Sequence, residues 1–126
     1  MQEEVRLRRS ILTVPGNREK MVSKARQCGA DQVLLDLEDS VPVQEKEAAR
    51  EAVGKHLSAL RGAAEVISYR INPMDSPFAY RDLIQVMERA GQYADTVVVP
   101  KVREGAQVRA VDILLSQIES ATGQQV

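Results

Sequence analysis

Four times along this chain a short apolar run gives way to a segment of helical period, and that alternation limits the possible folds more than any other feature. The runs are "SILTVPG", "QVLLDL", "EVISYRIN" and "TVVVPK". After the first, Asn17 is a natural N-cap, Met21, Val22, Ala25 and Cys28 fall at helical spacing, and Gly29 offers a stop. After the second, Ala49, Ala52, Val53, Leu57 and Leu60 form one stripe that ends at Gly62. The third leads into "DSPFAYRDLIQVMERAG", with Ser76 as N-cap and Pro77 at the first helical position. Its apolar face is Leu83, Ile84, Met87 and Ala90, and Gly91 closes it. The last helix runs through Val108, Val111, Leu115 and Ile118 to Gly123.

Strict alternation of this kind requires parallel strands joined by right-handed crossovers. The fold class is therefore α/β, and two architectures satisfy it: an open doubly wound sheet, or part of an eight-unit barrel. Alternation alone does not choose between them. "QVLLDL" is apolar almost throughout, as in a strand covered on both faces. With 126 residues the chain is one domain at most by length, and long enough to bury a core.

Composition removes several function classes. Seventeen Lys and Arg stand against eighteen Asp and Glu, so no basic face invites nucleic acid. Phe78, Tyr69, Tyr80 and Tyr93 are the only aromatics, too few for a base-stacking platform. Cys28 and His56 are each the only residue of their type. Neither an intrachain disulfide nor a zinc site can be assembled within one chain, and any bound metal must be a hard, oxygen-liking ion. "MQEEVRLRRS" lacks the apolar region of a signal peptide, and no apolar run approaches a membrane span, so a cytoplasmic setting is expected.

The unusual polar residues share one location. "VPGNR", "DLEDS", "RINP" and "PKVR" each lie at or just beyond the C-terminal end of a strand, where ligands bind in parallel α/β proteins. Asp36 sits inside a run that should be buried, and Glu38 and Asp39 follow it. A buried carboxylate is costly unless paired or hydrogen-bonded. Asp36 reads equally well as a structural carboxylate bonded to backbone amides, and Glu38 and Asp39 also read as the start of a solvated loop. Arg70 alternates with Val66, Ser68 and Asn72, opposite Ile67, Tyr69 and Ile71. An arginine in a buried strand needs an anion, from the acidic cluster or from a carboxylate-bearing substrate. Arg70 and Lys101, on neighbouring strands at the same edge, make the acidic cluster tolerable. Lys20, Lys46 and Lys55 read as surface cations, as do Arg18 and Lys24 by default. His56 reads as surface or packing, and Cys28 as a small core residue.

"RRSILTVPGNREKMVSKA", "ADQVLLDLEDSVP", "EKEAAR", "RINPMDSPFAYRDLIQVME" and "DTVVVPKV" together resemble the HpcH/HpaI aldolase and citrate lyase beta-subunit superfamily. The likeness runs from Arg8 to about Gly123 and is nearest in pattern to malyl-CoA and citramalyl-CoA lyases. It implies a (β/α)8 TIM barrel, of which residues 1–126 would be the first four βα units, a half-barrel ending before strand five. It implies a magnesium-dependent carbon–carbon lyase that splits a 3-hydroxyacyl-CoA into acetyl-CoA and a 2-oxo acid. By the same likeness Arg70 is catalytic and binds the oxo-acid carboxylate, while Glu38 and Asp39 line the site beside the metal. Thr13, Arg18 and Lys24 contact substrate and the phosphates of coenzyme A. The direct metal ligands would lie beyond Val126, with Asp39 near the ion but not on it; Glu119, on the helix after "PKV", does not match the ligand glutamate. Acyl-CoA and 2-oxo acid are then the partners, with homo-oligomer formation and without nucleic acid or membrane. Four units alone would leave unpaired edges on the first and fourth strands and an apolar inner face, so the isolated chain is expected to self-associate and to be inactive. A non-catalytic half-barrel that binds CoA or a partner, and a receiver-type signalling domain, are the rival readings.

Overall fold

The computed structural model describes residues 5–124. Its elements are β1 (Ile11–Pro15), α1 (Glu19–Ala25), β2 (Gln32–Asp36), α2 (Lys46–Ala59), β3 (Val66–Arg70), α3 (Ala79–Ala90), β4 (Thr96–Val98) and α4 (Gly105–Thr122). Single 3-10 turns precede α2, at Val43–Glu45, and β4, at Gly91–Tyr93.

The four strands are parallel and lie in the order β1-β2-β3-β4. Each crossover therefore steps the same way, which puts the helices on one face, α2 beside α3 and α3 beside α4. A doubly wound sheet reverses direction at its switch point, and the receiver order 2-1-3-4-5 sets β1 between β2 and β3. Here β2 pairs β3 directly. The sequential order is that of a barrel, and it removes the receiver reading.

Register divides the side chains between the two faces. Val14, Val33, Leu35, Ile67 and Tyr69 point to the helix side and join the core with Val53, Leu57, Leu83 and Met87, while Leu12 and Val97 pack against it. The other face carries Thr13, Leu34, Ser68 and Thr96 in one row, and Pro15, Asp36, Arg70 and Val98 in the next. With Ile11, Gln32 and Val66 in a third row, the inner face is mixed and not uniformly apolar as expected. Gln32 and Ser68 are buried there, the Gln32 amide donating to the Ser68 hydroxyl at 2.6 Å and that hydroxyl to the Val33 carbonyl at 3.3 Å. All five residues of β2 are buried, as the near-continuous apolar run required.

Helix ends account for the other departures. The N-cap position of α1 is Arg18; the Asn17 amide instead donates to Glu45 Oε1 at 3.3 Å. α1 stops at Ala25, so Cys28 lies outside it and is exposed instead of joining the core. α3 begins later than the Ser76-Pro77 signal suggested, with Phe78 at its N-cap. The Ser76 hydroxyl accepts from the Phe78 amide at 3.4 Å in the turn before it. Gly123, at φ 73°, ends α4 as read. His56 is half-buried, its Nδ1 3.1 Å from the Gly16 carbonyl, within hydrogen-bond distance.

Candidate active site

β2 and β3 end in register, which sets Asp36 beside Arg70. Asp36 Oδ1 accepts from Arg70 Nε at 2.7 Å and from the Glu38 amide at 2.9 Å. Its Oδ2 accepts from the Ser40 amide at 3.0 Å and the Ser40 hydroxyl at 2.5 Å. Burial pushes this carboxyl pKa up, but the Arg70 guanidinium, the Ser40 hydroxyl and the two amides outweigh it and hold it down at about 2. Asp36 is thus the structural carboxylate, and its second task is to aim an arginine.

Arg70 keeps 28% of its side chain exposed, and its charge is reinforced by the bond to Asp36. Only its Nε hydrogen-bonds among the described residues, so both terminal nitrogens of the guanidinium remain available. Glu38 is 4% exposed, with Oε1 3.4 Å from Arg70 Nε and Oε2 3.1 Å from Lys101 Nζ. That buried Oε2 makes no hydrogen bond of good geometry. Asp39 is exposed and meets the same ammonium at 3.1 Å. The two carboxylates raise the pKa of Lys101, whose backbone, at φ 50°, is the one non-glycine among the described residues in the left-handed region. The edge arrangement read from the sequence, three carboxylates answered by Arg70 and Lys101, is present.

The remaining predicted residues divide. Thr13 is exposed beside Leu34 on the same face as Arg70. Arg18 is exposed at the N-terminus of α1, on the sheet edge that carries the cluster. Lys24 is in the last turn of α1, about 9 Å further along the helix axis and away from that edge.

Lys46 is not a surface cation. It is 7% exposed, and its ammonium donates to the Leu37 carbonyl at 2.9 Å, the Glu38 carbonyl at 2.9 Å and Asn72 Oδ1 at 2.7 Å. Asn72 in turn donates from its amide nitrogen and its side chain to Asp82 Oδ2, at 2.9 and 2.6 Å. Asp82 Oδ1 accepts from Arg50 Nε at 2.9 Å. A usable sequence signal existed for all three charged groups. The α2 stripe Ala49–Val53–Leu57, extended back one turn, lands on Lys46, and Arg50 lies beside it; Asp82 falls on the stripe of α3 with Ala79, Val86 and Ala90.

The model of the HpcH/HpaI aldolase/citrate lyase family matches residues 9–126. The chain belongs to this family. It is 40% identical over 109 residues to an L-malyl-CoA/beta-methylmalyl-CoA lyase of Cereibacter sphaeroides, a match covering 86% of this chain and 34% of that protein. The citrate lyase beta subunit of Mycobacterium tuberculosis, solved in complex with oxaloacetate and magnesium, superposes with a TM-score of 0.67 at 31% identity, covering 85% of this chain and 46% of that one. Malate synthase of Haloferax volcanii superposes at 0.83 with 18% identity, over 98% of this chain and 40% of that one, a likeness of fold alone. The chain spans about a third of the length of the malyl-CoA lyases it matches.

Within this HpcH/HpaI fold, then, the four strand–helix units are a part of the TIM-barrel type, and the charged cluster lies at the strand ends. Among the described residues no three His, Cys, Asp or Glu side chains are grouped so that they could hold a metal ion. Nor is any helix among them long and apolar enough to cross a membrane.

Proposed function

We propose that the chain is the N-terminal part, ending before strand five, of a magnesium-dependent carbon–carbon lyase that splits a malyl-CoA- or citramalyl-CoA-type thioester into acetyl-CoA and a 2-oxo acid. Arg70 carries the reading: a guanidinium fixed through Nε by Asp36, with its terminal nitrogens unengaged and partly exposed at the strand ends. That is the geometry for gripping a carboxylate in two places.

In the reaction the substrate hydroxyl loses its proton and becomes the carbonyl of the oxo acid. The electron pair of the broken carbon–carbon bond passes to the carbon next to the thioester as an enolate, which is then protonated. Arg70 holds the departing oxo acid by its carboxylate and opposes the negative charge that grows on its oxygens. Glu38 and Asp39 line the site and keep Lys101 there. Arg18 meets the phosphates of coenzyme A at the neighbouring strand end. Lys24 is assigned to the same phosphates from the last turn of α1. Magnesium, as in the relative complexed with oxaloacetate, would supply Lewis-acid stabilisation of the oxo-acid oxygens, from ligands outside residues 5–124. The unpaired edges of β1 and β4 are what supports association with further strands.

The test is steady-state kinetics on malyl-CoA and citramalyl-CoA with the complete enzyme that contains this chain. Arg70→Lys keeps the charge but loses the planar fork, and turnover should fall by about a hundred- to a thousandfold. Arg18→Ala should raise KM and leave kcat nearly intact. Parental turnover in Arg70→Lys would sink the assignment.

A further inference from the structure

Three donors converge from Lys46, and their acceptors come from two different strand ends. The carbonyls of Leu37 and Glu38 belong to the loop after β2, and Asn72 follows β3. The Phe78 ring lies 5.6 Å from the ammonium, on the side of α3. Burial pulls the Lys46 pKa down, while Asp82, Asp36, Glu38 and Asp39 oppose that shift and favour the charged form. With Lys46 and Arg50 included, four cations answer four carboxylates in one contiguous group: Arg70, Lys101, Lys46 and Arg50 against Asp36, Glu38, Asp39 and Asp82.

We propose that Lys46 is a positioning residue: its ammonium ties the β2 loop to the β3 end and so sets where the Glu38 carboxylate stands against Arg70 and Lys101. The inference rests on the lyase reading for its consequence in catalysis, though not for its geometry. Glu38 is held at both ends, by Lys46 at its carbonyl and by Arg70 and Lys101 at its carboxylate. Two residues after Arg70, Asn72 is fixed by Lys46 on one side and Asp82 on the other. Loss of the ammonium leaves the Leu37 carbonyl and the Asn72 amide oxygen without a donor and the Glu38 carbonyl with the Val41 amide alone, so the β2 loop and the β3 end must shift to satisfy them. Arginine does not replace it, because a planar fork cannot direct three donors from one centre to these three acceptors.

The variants are Lys46→Met, Lys46→Arg and, as a control for stability, Leu57→Ala, which empties a fully buried position on the same helix. Two signals are read by NMR in the complete enzyme that contains this chain: the Glu38 carboxylate carbon and the Arg70 Nε–H. Oxalate, a compact dicarboxylate, is then titrated while the Arg70 signal is followed. Both signals should shift in Lys46→Met and oxalate affinity should fall by about tenfold or more, with Lys46→Arg failing to restore either. Leu57→Ala should lower the melting temperature and leave both signals in place. Parental signals in Lys46→Met, or equal changes in Leu57→Ala, would overturn the proposal. If Lys46→Met does not fold, Lys46→Arg decides, since it keeps charge and bulk; parental signals there would overturn it equally. If the parental enzyme ignores oxalate, the lyase reading is refuted, and the Glu38 and Arg70 signals alone decide the role of Lys46.

Discussion

Asp36→Asn changes almost no volume, so it isolates what the charge of this carboxylate does. Each carboxylate oxygen now serves two donors: Oδ1 takes Arg70 Nε and the Glu38 amide, Oδ2 takes the Ser40 amide and hydroxyl. A carboxamide has one acceptor oxygen and one donor nitrogen. With its oxygen at the Oδ1 position, its NH2 group faces the Ser40 amide; turned over, it faces Arg70 and the Glu38 amide. Either way a donor meets a donor, and Arg70 loses its closest counter-charge. Removing one partner of a buried ion pair costs about 3–5 kcal/mol. The lower end applies here, because Arg70 is partly exposed and Glu38 lies 3.4 Å away.

The pH dependence separates this account from a generic packing defect. The folded-state carboxyl pKa is lowered, from 3.8 to about 2, so its stabilisation is fully present above the unfolded value and drains away as pH falls towards 2. At 1.36 kcal/mol per unit the shift is worth roughly 2.5 kcal/mol. Asparagine does not titrate. The stability gap between the two chains should therefore narrow by roughly 2 kcal/mol between about pH 6 and about pH 2. Urea unfolding followed by circular dichroism across that range measures it. A gap that stays constant with pH, or no gap near neutrality, would refute the reasoning.

Two further substitutions probe the packing behind the cluster. In Gly16→Ala the new Cβ would collide with Val53 Cγ2 and lie 2.9 Å from the Asp36 carbonyl oxygen, so thermal unfolding should show a loss of about 1–3 kcal/mol. Leu57→Ala should cost about 2–5 kcal/mol in urea unfolding and leave the acid dependence of Asp36 unchanged.

The fold was legible where pattern and physics agree. Apolar runs such as "QVLLDL" and "TVVVPK" became β2 and β4, and Gly62 and Gly123, both at positive φ, fell where helices had to stop. Strand order was not legible from alternation alone, which is common to barrels and doubly wound sheets; the family resemblance implied the barrel, and the order β1-β2-β3-β4 agrees with it. Helix starts were misread at Asn17 and Ser76 for a local reason. A short polar side chain before a helix can bond a neighbouring loop or an earlier turn as readily as it caps, and here it does each once.

The site was half legible, and the missing half teaches a more general reading. Arg70, Glu38 and Asp39 stood out because charge within or just after an apolar strand needs explanation. Lys46, Arg50 and Asp82 did not, because charge on a helix is ordinarily solvated. What should have distinguished them is phase. On α2 and α3 they occupy the stripes that bury Ala49, Val53, Leu83 and Val86, at the helix turns nearest the strand ends. A charged residue in phase with an apolar stripe must either break the packing or find partners within it. Lys46, Arg50 and Asp82 find theirs in the loop carbonyls, in Asn72 and in each other, so the two helices contribute electrostatics to the strand-end cluster as well as packing to the core.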